Sequence, residues 1–305
     1  MKIEATQGYF IKLGEGGRWE SECLRDGVIR VGFRDIDHEV CAAGDWTRVK
    51  QIYTSRGTLR ANATRYSTEL ERFYTAPEEC LWITFSDRKL WWGFAEGPTY
   101  LSAENHKQRN IKSGWRSCDL SGITLDITGI SSKLTQVTGY RGTICEIKEL
   151  NYLLRKLNSD FLPEVRQAQS AREAFLKSIV PLVRNLTWRD FEILVDMVFS
   201  SGGWRRLGVV GKTEKDIDLE LEQPVTKELV MVQVKAKCGA DVIRSVSKRI
   251  EGMEHYKRVF IVTHSFSGSL PVEGIDERLE IIDIERLSPL ILDAGLSDWL
   301  IVKSK

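Results

Sequence analysis

From Tyr9 to about Glu149, short runs of β-branched and aromatic residues alternate with Gly, Asp or Ser breaks. GYFIKL, GVIRVGF, LWITFS, LWWGFA and TLDITGI read as strands. Between them, WTRVKQIYTS and TRYSTELERFYT have apolar positions at helical spacing, with Tyr66, Leu70 and Phe73 on one side. That mixture predicts a small twisted β-barrel with flanking helices over residues 1–150. Alternation then stops, and NYLLRKLNSDFLPEVRQAQSAREAFLKSIVPLV reads as a helical connector over 151–186, interrupted near Pro163 and Pro181. Beyond it, helix and strand alternate. TWRDFEILVDMVFSSGG opens on Thr187 as N-cap with Asp190 three residues on, and closes on a glycine pair. RRLGVVG, DIDLELE and ELVMVQVKA follow as strands, then the helix DVIRSVSKRIEGM, the strands RVFIVTH and LEIIDI, and a final helix around ERLSPLILDAG. The order predicts an α/β domain with a mixed sheet over 187–305, so the whole chain combines α+β and α/β parts.

Composition narrows the setting. Hydrophobic residues make up 42% of the 305 and charged residues 29%, the balance of a water-soluble globular chain. No apolar run approaches the ~20 residues of a membrane-spanning helix, and the start MKIEATQGYF lacks an apolar signal core, so a cytoplasmic protein without a membrane partner is expected. The six cysteines are scattered without a CxxC pair, against a zinc cluster or a disulfide framework. A net charge of +1 argues against a polyanion partner held by bulk charge, and any nucleic-acid surface must be a local patch.

The charged strands carry the candidate chemistry. In DIDLELE, Ile217, Leu219 and Leu221 share one face and Asp216, Asp218 and Glu220 the other. In ELVMVQVKA, Val230, Val232 and Val234 oppose Met231, Gln233 and Lys235. The QPVTK link is short enough for a hairpin, and pairing the aliphatic faces sets Asp218 beside Gln233 and Lys235. An acid and an amide beside an ammonium group suit a divalent cation and metal-assisted phosphodiester hydrolysis. A solvated hairpin face is the plainer alternative. Glu192 lies three and seven residues before Val195 and Phe199, along the buried stripe of its helix, where an acid needs a partner.

The ordered series TWRDFEILVDMVFSSGGW, KDIDLEL, VMVQVKAK, VFIVTHSFSGSL and LEIIDIERL resembles the catalytic domain of Mrr-type restriction endonucleases, in the PD-(D/E)xK superfamily, over about Leu186 to Leu290. The resemblance implies a restriction-endonuclease-like mixed sheet flanked by helices. It makes Glu192 the helix acid, Asp218 the principal metal ligand, Gln233 the residue in the second-acid position and Lys235 the catalytic lysine. Asp218, Gln233 and Glu192 would then hold Mg²⁺, with Mn²⁺ as an alternative. GKTEKDID stands where such domains often have Gly-Asp-Gly-Gly, which leaves Asp216 as a rival to Asp218.

GYFIKLGEGGRWESECLRDGVIRVGF, with LWITFSDRKLWWGFA and TGYRGTICEI, is similar to PUA-like domains of the EVE/YTH/ASCH kind. That likeness implies a module that turns a modified base out of the helix into an aromatic cage. Trp19, Trp46, Trp82, Trp91 and Trp92 are the cage candidates, and Lys12, Arg18, Arg60, Arg65 and Arg116 the phosphate candidates. Neighbours on a strand, Trp91 and Trp92 must face opposite sides, so no more than one should be core. Together the two likenesses imply a modification-dependent endonuclease of phage defence, acting on double-stranded DNA as a homodimer. A nuclease indifferent to modification and a non-catalytic nucleic-acid sensor are the alternatives.

Overall fold

The computed structural model describes residues 2–207, 217–268 and 275–305. The chain divides into two compact units, Met1–Leu162 and Pro163–Lys305. Among the described residues no helix is long and apolar enough to cross a membrane.

In the first unit, β1 (Gly8–Ile11), β2 (Val28–Val31), β3 (Leu81–Ser86), β4 (Lys89–Leu101), β5 (Lys107–Ile111) and β6 (Ile144–Glu146) form one sheet in the order β2-β5-β4-β3-β1-β6. The small barrel expected here is instead an open sheet, with β2 and β6 as its edges. Helices cover both faces. α1 (Glu20–Asp26), α2 (His38–Ala42), α3 (Trp46–Ser55) and α4 (Arg60–Thr75) lie on the side where Phe73 packs with Tyr9, Ile11, Ile29 and Trp82. α5 (Ser132–Thr135) and α6 (Leu150–Leu157) close the other, where Leu134, Leu153 and Leu157 pack with Phe10, Leu81 and Ile83.

Two strand expectations fail here for physical reasons. TLDITGI is not a strand: Ile127–Gly129 is a 3-10 turn, because the Asp126 carboxylate accepts the Thr128 N–H at 2.8 Å and pulls the chain round. The polar KQRNI segment, which lacks the alternation of a half-buried strand, is β5. Its Lys107, Gln108 and Arg109 are all at least 95% buried. Lys107 Nζ donates to the Phe33 and Ile36 carbonyls at 2.7 and 2.6 Å, and Arg109 donates to Phe73, Ala76 and Gly97 carbonyls. These cations bury because loop and helix-end carbonyls satisfy them.

The second unit has β7 (Arg205–Arg206), β8 (Leu219–Glu222), β9 (Leu229–Cys238), β10 (Tyr256–Phe266) and β11 (Leu279–Ile282) in the order β11-β10-β9-β8-β7. β7, β8 and β9 pair antiparallel, and β9, β10 and β11 parallel, giving a mixed sheet. α7 (Pro163–Asn185), α8 (Trp188–Ser201), α10 (Ile284–Asp293) and α11 (Ser297–Lys303) pack on one face through Val183, Phe191, Val195, Ile291 and Leu300. α9 (Ala240–Ile250) covers the other through Ile243, Val246 and Ile250. Within the stretch read as a connector, α6 sends Leu153 and Leu157 into the first unit's core, and α7 sends Ile179 and Val183 into the second's. α11 was not legible as a separate helix, since Leu300 is its one buried residue.

Candidate active site

The hairpin register places the predicted residues. Leu219 stands opposite Val232 and Leu221 opposite Val230, and all four join the aliphatic core with Val234. One step before Leu219, Asp218 meets Gln233. Gln233 Nε2 donates to Asp218 Oδ2 at 2.8 Å, and the Val234 N–H donates to the same oxygen at 2.7 Å. Both bonds fall on Oδ2, so neither uses Oδ1.

α8 supplies the third member. The Thr187 hydroxyl accepts the Asp190 N–H at 3.2 Å and starts the helix as its N-cap. Phe191, Leu194, Val195 and Val198 then seat α8 on the sheet. One residue off that stripe, Glu192 is half-buried and reaches the cleft edge. A cleft of ≈ 320 Å³ is lined by Trp188, Phe191, Glu192, Asp218, Val234, Lys235 and Ala236. Burial pushes the Glu192 carboxyl above its ordinary value, and the Asp218 charge pushes the same way, against the pull of Arg206, Lys235 and Arg189. Two mutually repelling carboxylates and a lysine thus share one concavity.

The structure brings Asp218, Gln233, Lys235 and Glu192 together. Asp216 lies outside the described residues. Gln233 is 2% exposed and turns its amide nitrogen, not its oxygen, toward Asp218. In this geometry it orients the carboxylate and presents no oxygen to the cleft, unlike the ligand role expected of it. Sequence reading missed three neighbours. Arg206 Nη2 donates to the Asp218 carbonyl at 3.2 Å, and Nη1 reaches Asp196 at 3.3 Å. Arg249 donates to Gln233 Oε1 from α9. Trp188 is 65% exposed at the cleft mouth, with Arg189 over its ring at 5.4 Å. Nothing in the local pattern marks these residues, because their contacts join separated elements. His264 packs edge-on against Phe191 at 5.0 Å, and burial holds its imidazole below the usual range.

In the first unit the five tryptophans do not converge. Trp82 and Trp92 are 0% and 3% exposed and belong to different cores, so as cage walls both are corrected to core side chains. Trp91 is half-buried on the Trp82 side, its Nε1 held by the Ser86 carbonyl at 3.1 Å. Trp46 packs against Tyr74 beside α4. Trp19 differs. Two cavities of ≈ 400 Å³ each share Arg18, Trp19 and Gly32. The first adds Lys12, Arg65 and Arg141, and the second adds Arg34, Glu104 and His106. Buried Glu69 accepts from the Tyr140 hydroxyl at 2.8 Å and the Thr143 N–H at 3.0 Å, fixing the loop that carries Arg141. Of the other phosphate candidates, Arg116 lies over the Trp92 ring and Arg60 opens α4.

A mixed sheet covered on both faces, with two carboxylates and a lysine at the open end of a hairpin, has the donor set of a phosphodiester-cleaving site. Residues 183–291 match the Mrr_cat family model, described as restriction endonuclease, so this part of the chain is similar to that family, which supports a nuclease-type domain here. No curated protein and no solved structure matches the chain.

Proposed function

We propose that the chain is a modification-dependent DNA endonuclease, using Mg²⁺ at the Asp218 cleft and reading a modified base beside Trp19. The observation that carries the nuclease part is the convergence of Asp218, Glu192 and Lys235 on one cleft. The residues fit a divalent cation. Asp218 keeps one carboxylate oxygen outside its two hydrogen bonds, and the Glu192 charge is disfavoured by burial and by Asp218, a strain that a cation between them relieves. Asp218 and Glu192 would hold the ion, and when bound it supplies positive charge at the scissile phosphate. Lys235 faces the same cleft and neutralises charge that develops on the phosphate oxygens. Arg206 and Gln233 hold the main chain and side chain of Asp218 in place.

The base-reading part rests on Trp19. It is half-buried, stands between two cavities, and is ringed by Lys12, Arg18, Arg34, Arg65 and Arg141 against Glu15 and Glu104. An aromatic face for an extruded base beside cations for its flanking phosphates suits a flipped nucleotide. Cutting both strands calls for two nuclease domains, so action as a homodimer on DNA belongs to the same proposal.

The test is a cleavage panel on phage DNAs that differ only in base modification, with Mg²⁺ and with chelator. Metal-dependent cutting confined to modified DNA is expected. Equal cutting of unmodified DNA refutes the modification part, and no cutting of any substrate refutes the nuclease part.

A further inference from the structure

We propose that Arg249 is a positioning residue of the Asp218 site, acting through Gln233 to fix the one amide orientation that gives Asp218 its side-chain donor. The proposal rests on the reading of Asp218 as the metal-holding carboxylate.

Gln233 is 2% exposed, so water does not complete its hydrogen bonding. Its amide spans two charged groups of opposite sign. Arg249, in the last turn of α9, donates through Nη2 to Gln233 Oε1. Gln233 Nε2 donates to Asp218 Oδ2 at 2.8 Å. Turned over, the amide would set its NH₂ group against the guanidinium and its oxygen against the carboxylate, losing both bonds and gaining two repulsions. The guanidinium has no acceptor of its own, so it selects the oxygen end and leaves only the donor end for Asp218.

The consequence reaches the cleft. Asp218 Oδ2 has two donors, the Val234 N–H and Gln233 Nε2. The first is main chain and survives any side-chain change. The second exists only while Arg249 holds the amide. Without Arg249 the Val234 N–H is the one donor left on Oδ2, and the orientation of the carboxylate in the cleft is no longer fixed by two bonds. The same logic explains glutamine rather than glutamate at position 233. A glutamate would pair with Arg249 but press a second carboxylate on Asp218, replacing a hydrogen bond with like-charge repulsion.

The experiment uses the full chain and reads the cleavage rate as a function of Mg²⁺ concentration. Arg249→Met and Arg249→Lys are made in the wild-type and Gln233→Ala backgrounds. Thermal melts and DNA binding in chelator verify folding and substrate affinity. For Arg249→Met the Mg²⁺ requirement should rise about 10–100-fold, the usual effect of losing a residue that orients a metal ligand, with DNA binding unchanged. Arg249→Lys, which keeps a donor, should recover part of the loss. In the Gln233→Ala background, Arg249→Met should change nothing further, because the route to Asp218 is already cut. Equal effects in both backgrounds, or no effect in either, overturn the proposal. Cleavage that survives Asp218→Ala would instead sink the underlying reading of the site. Should the wild type prove inert, the side-chain amide signal of Gln233 in ¹⁵N-labelled protein decides. Nε2 proton resonances displaced from those of a free glutamine amide, which move toward the free values in Arg249→Met, are expected, and an unchanged signal overturns the proposal.

Discussion

β5 and β9 both carry lysine in a strand, and they use it in opposite ways. Lys107 in β5 is 1% exposed and spends its donors on the carbonyls of Phe33 and Ile36. Burial pushes its ammonium below the usual range, while the nearby Cys41, Asp35 and Asp37 pull it back. Lys235 in β9 is half-buried and lines a cleft with Asp218 and Glu192. The difference lies in the partners. A structural charge ends on main-chain oxygens that would otherwise be orphaned. A charge available for chemistry faces other side chains across an open concavity, where a substrate can intervene. Strand charge alone therefore does not mark a site; the company of the charge does.

The comparison can be broken at its strongest point first. Asp218→Ala should reduce cleavage to background and Lys235→Ala should cost about 10²–10³-fold in rate, both taken per folded molecule. Rates above a tenth of wild type for either would remove the cleft from the chemistry. Lys107→Met should do the reverse. Leaving two buried carbonyls unpaired costs about 1–3 kcal/mol each, so denaturant unfolding should show the loss while cleavage per folded molecule stays unchanged. An unfolding curve that superimposes on wild type would make Lys107 dispensable to the fold. Trp19→Ala should weaken binding of modified DNA by about 1–3 kcal/mol, one lost stack, measured by titration in chelator, while Trp46→Ala leaves it alone.

The smallest effect concerns Glu192. Its folded-state pKa is raised above the unfolded value, so the charged form is disfavoured in the folded protein. Stability is therefore lost as pH rises from the ordinary carboxylate range through the raised value. Glu192→Gln should melt higher than wild type at neutral pH without divalent cations, with the gap closing as the pH falls below that range. Saturating Mg²⁺ should stabilise wild type and leave the variant unmoved. A variant that melts lower at pH 7 would show Glu192 making a favourable contact instead.

Much of this was legible in sequence where one period governed the outcome. The alternation in DIDLELE and ELVMVQVKA, with a short link, sufficed to place Leu219, Leu221, Val230 and Val232 in one core and Asp218 beside Gln233. Thr187 and the Gly202–Gly203 pair bounded α8 as local rules require. β5 was not legible, because its burial depends on carbonyls from Phe33, Ile36, Phe73 and Ala76 that only folding brings near. Nor was the fate of the tryptophans. Composition supplied five candidates, but only the packing of the sheet decided that Trp82 and Trp92 are core and that Trp19 stands between cavities.

The sequence by itself thus determined the strand faces, the capped helix and the pairing of an acid with an amide and a lysine, because each follows from backbone periodicity over a few residues. Tertiary structure alone decided that the first unit's sheet stays open, that Glu192 meets Asp218 in one cleft, and that Arg249 holds Gln233 from the opposite face. Those outcomes depend on desolvation and on partners far apart in the chain, and no local pattern encodes which buried charge will find which partner.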